Sequence, residues 1–185
     1  AGPALRSEDS ASRLNFSSPR RYNAGMQPST TPKPETTAPA EAPPRVLIAE
    51  DNPQNAELME AYLGDRDYEV RIAADGEQTL HLVRTWRPDL ILLDIMMPKI
   101  SGFEVCKRLR ADAATRDLAV LMITALDQAS DVERAVEAGT DDFLTKPINK
   151  NELLLRVRSL LKSRQNKRAL DRALAYIEAV ERGTP

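Results

Sequence analysis

Cysteine is nearly missing from this chain: Cys106 stands alone among 185 residues. No internal disulfide can form, which fits a reducing compartment. Long apolar runs are missing too, and none approaches the roughly 18 residues of a membrane span. The first residues lack the apolar core of a secretory signal, so a cytoplasmic protein is expected. Net charge is also small, at −2. As a whole-chain value it implies little, and its distribution along the chain is more informative.

Residues 1–45 hold six basic and four acidic residues, net +2; residues 46–150 hold twelve and twenty, net −8; residues 151–185 hold eight and four, net +4. An acidic middle followed by a mildly basic segment favours metal-cation chemistry over nucleic-acid binding there. The first 45 residues also hold eight of the thirteen prolines, with many Ser, Thr and Ala and few large apolar side chains. Such a segment buries too little surface to offset its ordering entropy. A disordered tail over 1–44 is therefore expected.

From Arg45 the pattern changes. Val46-Leu47-Ile48-Ala49 is an apolar run ending in Glu50-Asp51. Asn52 and Pro53 form an N-cap and a first-turn proline, which start a helix running to about Leu63, with Gly64 placed to end it. Strands are expected at Glu69–Ala73, Leu90–Leu93, Leu118–Ile123 and Asp142–Thr145. Helices are expected at Gly76–Trp86, Phe103–Arg110 and Ser130–Ala138. A final helix, capped by Asn149 or Asn151, extends to about Glu181. Strands alternating with helices argue for an α/β domain whose parallel sheet is covered on both faces. The 185 residues suffice for one such domain plus appendages.

Ligands of open α/β sheets bind outside the carboxyl ends of the strands. The unusual polar residues fall there: Glu50 and Asp51 after the first strand, Asp94 after the third, Thr124 after the fourth, Lys146 after the fifth. Right-handed crossovers bring the first and third strands together, so three carboxylates converge. Such clustering is unfavourable unless a cation or protons neutralise it, and a hard, oxygen-only site suits Mg²⁺. The pattern points to phosphoryl transfer. A carboxylate is the nucleophile, the metal and Lys146 neutralise phosphoryl oxygens, and the Thr124 hydroxyl bonds one of them after transfer.

The stretch VLIAEDN…DLILLDIMMP…SGFEVCKRLR…VLMITALD…AGTDDFLTKPI resembles the receiver domain of two-component response regulators over about residues 45–162. Each motif is short, but five occur in order. The resemblance implies a flavodoxin-like doubly wound sheet of five parallel strands in the order 2-1-3-4-5; beyond it, the apolar spacing of the last helix gives a helical extension over 163–185. It implies Asp94 as phosphoacceptor, Asp51 as direct metal ligand, Glu50 acting mostly through water, and the Met96 carbonyl completing the protein ligands of Mg²⁺ or Mn²⁺. Thr124 and Phe143 become the switch pair, Lys146 the essential cation, and the Lys146–Pro147 bond is cis. Glu-Asp replaces the family's commoner Asp-Asp, and Phe143 stands where Tyr is frequent. The implied partners are a histidine kinase or phosphotransfer protein, and a second copy pairing through helix four, strand five and helix five. The stretch FLTKPINKNELLLRVRSLL is most similar to receivers that precede cyclic-di-GMP enzymes.

The domain is then a phosphoacceptor signalling module rather than an enzyme, catalysing only its own phosphorylation and dephosphorylation. Direct DNA binding is not expected. One alternative is a scaffold pseudo-receiver, against which Asp51, Asp94, Thr124 and Lys146 argue. Another is a haloacid-dehalogenase-type phosphatase, which needs a second acid where this chain has Met96. His81 is expected at the surface and Cys106 in the core. In the last helix Leu170, Leu174 and Ile177 continue an apolar stripe that Arg164, Lys167 and Arg168 interrupt. That leaves two readings open, an extension folded against the domain and a short dimerising coiled coil.

Overall fold

Strand structure begins where prolines give way to continuous apolar residues. The computed structural model describes residues 42–125 and 129–183, so the expected tail lies, up to residue 41, outside the described residues. Five strands, β1 (Arg45–Ala49), β2 (Glu69–Ala73), β3 (Leu90–Asp94), β4 (Ala119–Thr124) and β5 (Asp142–Thr145), alternate with five helices. These are α1 (Pro53–Leu63), α2 (Gly76–Trp86), α3 (Gly102–Ala111), α4 (Ala129–Ala138) and α5 (Lys150–Glu181). All strand pairs are parallel and the order is β2-β1-β3-β4-β5.

Period-two alternation divides each central strand between two cores. Val46, Ile48, Leu90, Leu92, Leu121 and Ile123 pack against α1 and α5. Leu47, Ala49, Ile91, Leu93, Val120 and Met122 face α2, α3 and α4. Each fully buried Leu, Ile or Val contributes about 1.5–3 kcal/mol of burial free energy. The edge strand β2 carries its charges outward. There Trp86 Nε1 donates to Glu69 Oε1 at 3.0 Å, and the Arg71 guanidinium lies 4.8 Å from the indole centre, tying α2 to the edge.

The caps explain the element boundaries. Asn52 Oδ1 accepts from the Gln54 and Asn55 backbone N–H groups at 2.9 and 3.3 Å. Gly64 ends α1, yet with right-handed φ −61°, so its freedom to turn left-handed is unused. Pro88 disfavours a helical residue before it, and Arg87 takes the left-handed φ of 53° instead. Asn149, not Asn151, caps α5, accepting from the N–H groups of Asn151 and Glu152.

The last helix is a single run of 32 residues. Leu153, Val157 and Leu161 bury against the sheet. The cations that break the apolar stripe then fasten the helix to loops at the amino end of the sheet. Arg164 donates to the Asp89 carbonyl at 2.9 Å, Arg168 to its carboxylate at 2.8 Å, and Lys167 to Asp117 at 2.5 Å. Beyond them Leu170, Leu174 and Ile177 are half or more exposed, at 59%, 50% and 51%. Among the described residues, no helix is long and apolar enough to cross a membrane.

Candidate functional site

Glu50 and Asp51 occupy the turn between β1 and the Asn52 cap, so both acids are fixed at the carboxyl edge of the sheet. Ala49 pairs with Leu93, which sets Glu50 beside Asp94, the last residue of β3. Asp94 pairs with Ile123, one residue short of Thr124; Thr124 pairs with Thr145, one residue short of Lys146. Strand register thus lines up Glu50, Asp94, Thr124 and Lys146 along one edge. Glu50, Asp94 and Thr124 are buried, whereas Asp51 is exposed.

Lys146 Nζ bridges the two buried acids, 2.8 Å from Glu50 Oε2 and 3.0 Å from Asp94 Oδ2. Burial works against the Lys146 charge. The hydrogen bonds and charges of Glu50 and Asp94 outweigh it and hold the lysine above its ordinary pKa. Asn55 Nδ2 donates to Glu50 Oε1 at 3.0 Å, and the Met96 N–H donates to Asp94 Oδ1 at 3.3 Å. One oxygen each from Glu50, Asp51 and Asp94 lies within 4.8 Å of the others. Three carboxylates against one lysine leave two negative charges in excess. An all-oxygen donor set with one solvent-facing acid fits a hard divalent ion that keeps waters.

The loop after β3 is closely supported, in ways the sequence motifs did not reveal. Lys99, at φ 66°, donates to Asp75 Oδ2 at 2.9 Å, and Asp75 itself caps α2. A Cβ on Gly102 would sit 2.2 Å from the Asp94 carbonyl oxygen, and one on Gly76 would sit 2.3 Å from that of Ile100. Only glycine permits these approaches. The signals were present as Asp75-Gly76 and Ser101-Gly102, but their partners are set by the fold.

The expected residues divide into two groups. Glu50, Asp51, Asp94 and Lys146 form one cluster, and the Thr124 carbonyl accepts from the Lys146 N–H at 2.6 Å. Phe143 stands apart, half-buried opposite Met122 on β5 and packed against the α2–α4 side of the core. The Lys146–Pro147 bond is cis, as the resemblance implied. His81 is exposed and Cys106 is buried, where burial pushes its thiol up to about 11.

A parallel sheet in this order, with acids and a lysine gathered at its carboxyl edge, defines a signalling domain of the two-component type. The chain belongs to the response regulator receiver domain family, whose model matches residues 46–158. It is 46% identical over 119 residues to the DNA-binding dual master transcriptional regulator RpaA of Synechocystis, a match covering 64% of this chain and 49% of that protein. It is 47% identical over 116 residues to the response regulator PleD of Caulobacter vibrioides, covering 63% of this chain and 26% of PleD. The chain therefore spans about half or less of these relatives. A putative response regulator from Chloroflexus aurantiacus superposes with a TM-score of 0.63 at 38% identity, covering 65% of this chain and 98% of that one. The receiver domain of sensor histidine kinase PA1611 from Pseudomonas aeruginosa superposes at 0.61 with 31% identity, covering 65% and 99%. That structure holds a magnesium ion coordinated in its active-site cleft.

Proposed function

We propose that this receiver accepts a phosphoryl group on Asp94 from a histidine kinase or phosphotransfer protein. The supporting observation is the Lys146 bridge between Glu50 and Asp94, at 2.8 and 3.0 Å, inside a carboxylate cluster that fits a divalent ion. An Asp94 oxygen attacks the phosphorus of a phosphohistidine. The O–P bond forms as the N–P bond breaks, and the departing imidazole nitrogen keeps the electron pair. A bound Mg²⁺ or Mn²⁺ supplies positive charge for the phosphoryl oxygens. Asp51 would hold the ion directly, Glu50 mostly through water, and Asp94 and the Met96 carbonyl would complete the protein ligands. Lys146 and the Thr124 hydroxyl bind phosphoryl oxygens, and Phe143 turns inward as Thr124 moves. The only chemistry assigned is this self-phosphorylation and its hydrolysis. Acetyl phosphate with Mg²⁺ should add one phosphoryl group to the wild type and none to Asp94→Asn, read by intact mass. Equal labelling of both proteins overturns the assignment.

The output is a partner or a second copy. The half-exposed stripe at Leu170, Leu174 and Ile177 supports pairing through α4, β5 and α5, with the domain ending near 162 and the extension over 163–185 burying that stripe in the pair. A histidine-kinase donor implies a cytoplasmic setting. Sedimentation with and without beryllium fluoride, on the full chain and on one ending at Lys162, tests the pairing. An unchanged equilibrium in the full chain rules out switch-driven association.

A further inference from the structure

The amino end of the sheet carries a second constellation, remote from the acids and unused by phosphoryl transfer. Two adjoining grooves of about 810 and 490 Å³ lie there, and Arg87, Arg164 and Arg168 line both. Arg172 joins the first groove and Arg84 the second. Arg45, paired with Glu69, also lines the first groove; the other five guanidiniums come from three places: the last turn of α2, the left-handed residue after it, and the clamped part of α5.

Their pairing is incomplete. Asp89 is the nearest acid, and its carboxylate already accepts from Arg168 Nη1 at 2.8 Å and the Arg45 N–H at 3.0 Å. Arg164 reaches only the Asp89 carbonyl, and its Nε lies 3.9 Å from the carboxylate, buried without a hydrogen-bond partner. Burial, with the Arg168 charge beside it, pushes the Arg164 guanidinium down to about 10, so it remains charged at neutral pH. Among the described residues, the guanidiniums of Arg84, Arg87 and Arg172 have no ion pair or hydrogen bond. The remaining acids of the two grooves, Asp112 and Asp171, do not balance them.

We propose that these grooves form an anion site for a phosphate ester of nucleotide size. A guanidinium fork matches phosphate oxygens bidentately, and several unpaired forks converging favour a multiply charged phosphate over a single carboxylate. The larger groove falls in the range of small-ligand pockets, far more than one phosphate fills. Its walls at Pro43, Pro44, Leu161 and Ala169 offer an apolar surface for the body of such a ligand. Because Arg164 and Arg168 also clasp Asp89, the bound phosphate would act on the same clamp that directs the α5 extension.

The test uses the full chain without magnesium, where the acid cluster repels anions. ADP, inorganic phosphate and adenosine are titrated by calorimetry, and ¹H–¹⁵N spectra locate the response. ADP should bind and shift the amides around Arg87, Arg164 and Arg168, while adenosine should do neither. Arg87→Ala with Arg172→Ala removes two groups that have no partner among the described residues, so the double variant should keep the parent's melting temperature. It should bind ADP more weakly by about 30-fold or more, as the loss of two charge-assisted contacts implies. Arg158→Ala, on an exposed face of α5, should bind as the parent does. No ADP binding at millimolar concentration, or equal affinity in the double variant, overturns the site. Inorganic phosphate binding as tightly as ADP overturns the nucleotide-sized ligand. A single-stranded oligonucleotide binding far more tightly than ADP, with a steep salt dependence, replaces this reading with a nucleic-acid surface.

Discussion

The two ends of one sheet carry opposite chemistry. At the carboxyl edge three acids cluster, two of them bridged by one lysine; at the amino edge arginines outnumber acids along two grooves, and Asp89 there already accepts from Arg168 and the Arg45 N–H. Strand β3 joins them, running from beside Asp89 to Asp94. The acid end is assembled by strand register and needs a cation. The basic end is assembled by a helix laid across loops and has cations to spare. A sheet edge thus acquires its ligand class from what the connecting segments deliver to it.

The largest expected effect breaks the acid end alone. Lys146→Ala removes the charge bridging Glu50 and Asp94 and should slow labelling by acetyl phosphate by about 10²–10³-fold, comparable to losing one preorganised electrostatic group. The amides around Arg87 and Arg168 should keep their chemical shifts in that variant. Labelling at the parental rate would remove Lys146 from the reaction.

Next in size is the loop that joins the acids to α3. Gly102→Ala places a methyl 2.2 Å from the Asp94 carbonyl oxygen and should destabilise the fold by about 1–3 kcal/mol, as overpacking does. Urea unfolding measures it, and an unchanged midpoint would mean that the loop gives way freely.

The basic end is tested by Asp89→Asn, which keeps the shape and removes the charge that Arg168 meets. A loss of about 1–2 kcal/mol is expected for one charge-assisted hydrogen bond. Hydrogen exchange should quicken in residues 164–181, while Mg²⁺ affinity and labelling stay as they were. A change in labelling would show that β3 couples the two ends.

The smallest effect belongs to alkaline pH. The Cys106 pKa is raised by burial, so the unfolded thiol ionises first. Its contribution is complete below the ordinary thiol value of 9.0 and is lost as pH rises toward about 11. The raised Lys146 pKa adds a loss of the same sign at still higher pH. Cys106→Ala should show a shallower decline in denaturation midpoint above pH 9 than the parent, and parallel curves would contradict the burial.

Most of the acid end was legible because each member sits at the end of a short apolar run, and strand order then fixes which ends meet. Element boundaries fell within about a residue where a capping residue or Pro88 marked them. Phe143 was located by its spacing from Lys146, but that spacing says nothing about which side chains surround it. The Asp75–Lys99 pair and the Gly102 contact were not legible, since both join residues whose meeting depends on how the loops fold over the edge. The arginine end was hidden for the same reason. Arg164, Lys167 and Arg168 looked like an interruption of a stripe, and only the finished sheet supplies Asp89 and Asp117 to meet them.

The unbroken α5 also imposes a phase on whatever its far end meets. At 1.5 Å per residue its 32 residues reach about 48 Å. Each residue added between Lys162 and Leu170 turns the Leu170–Ile177 face by about 100° relative to the α4–β5 surface. Seven added residues bring that face back to within about 20° of its starting direction, only farther out. Under the proposed pairing through that face, insertions of one to six residues should scatter the strength of association in sedimentation, and an insertion of seven should restore it.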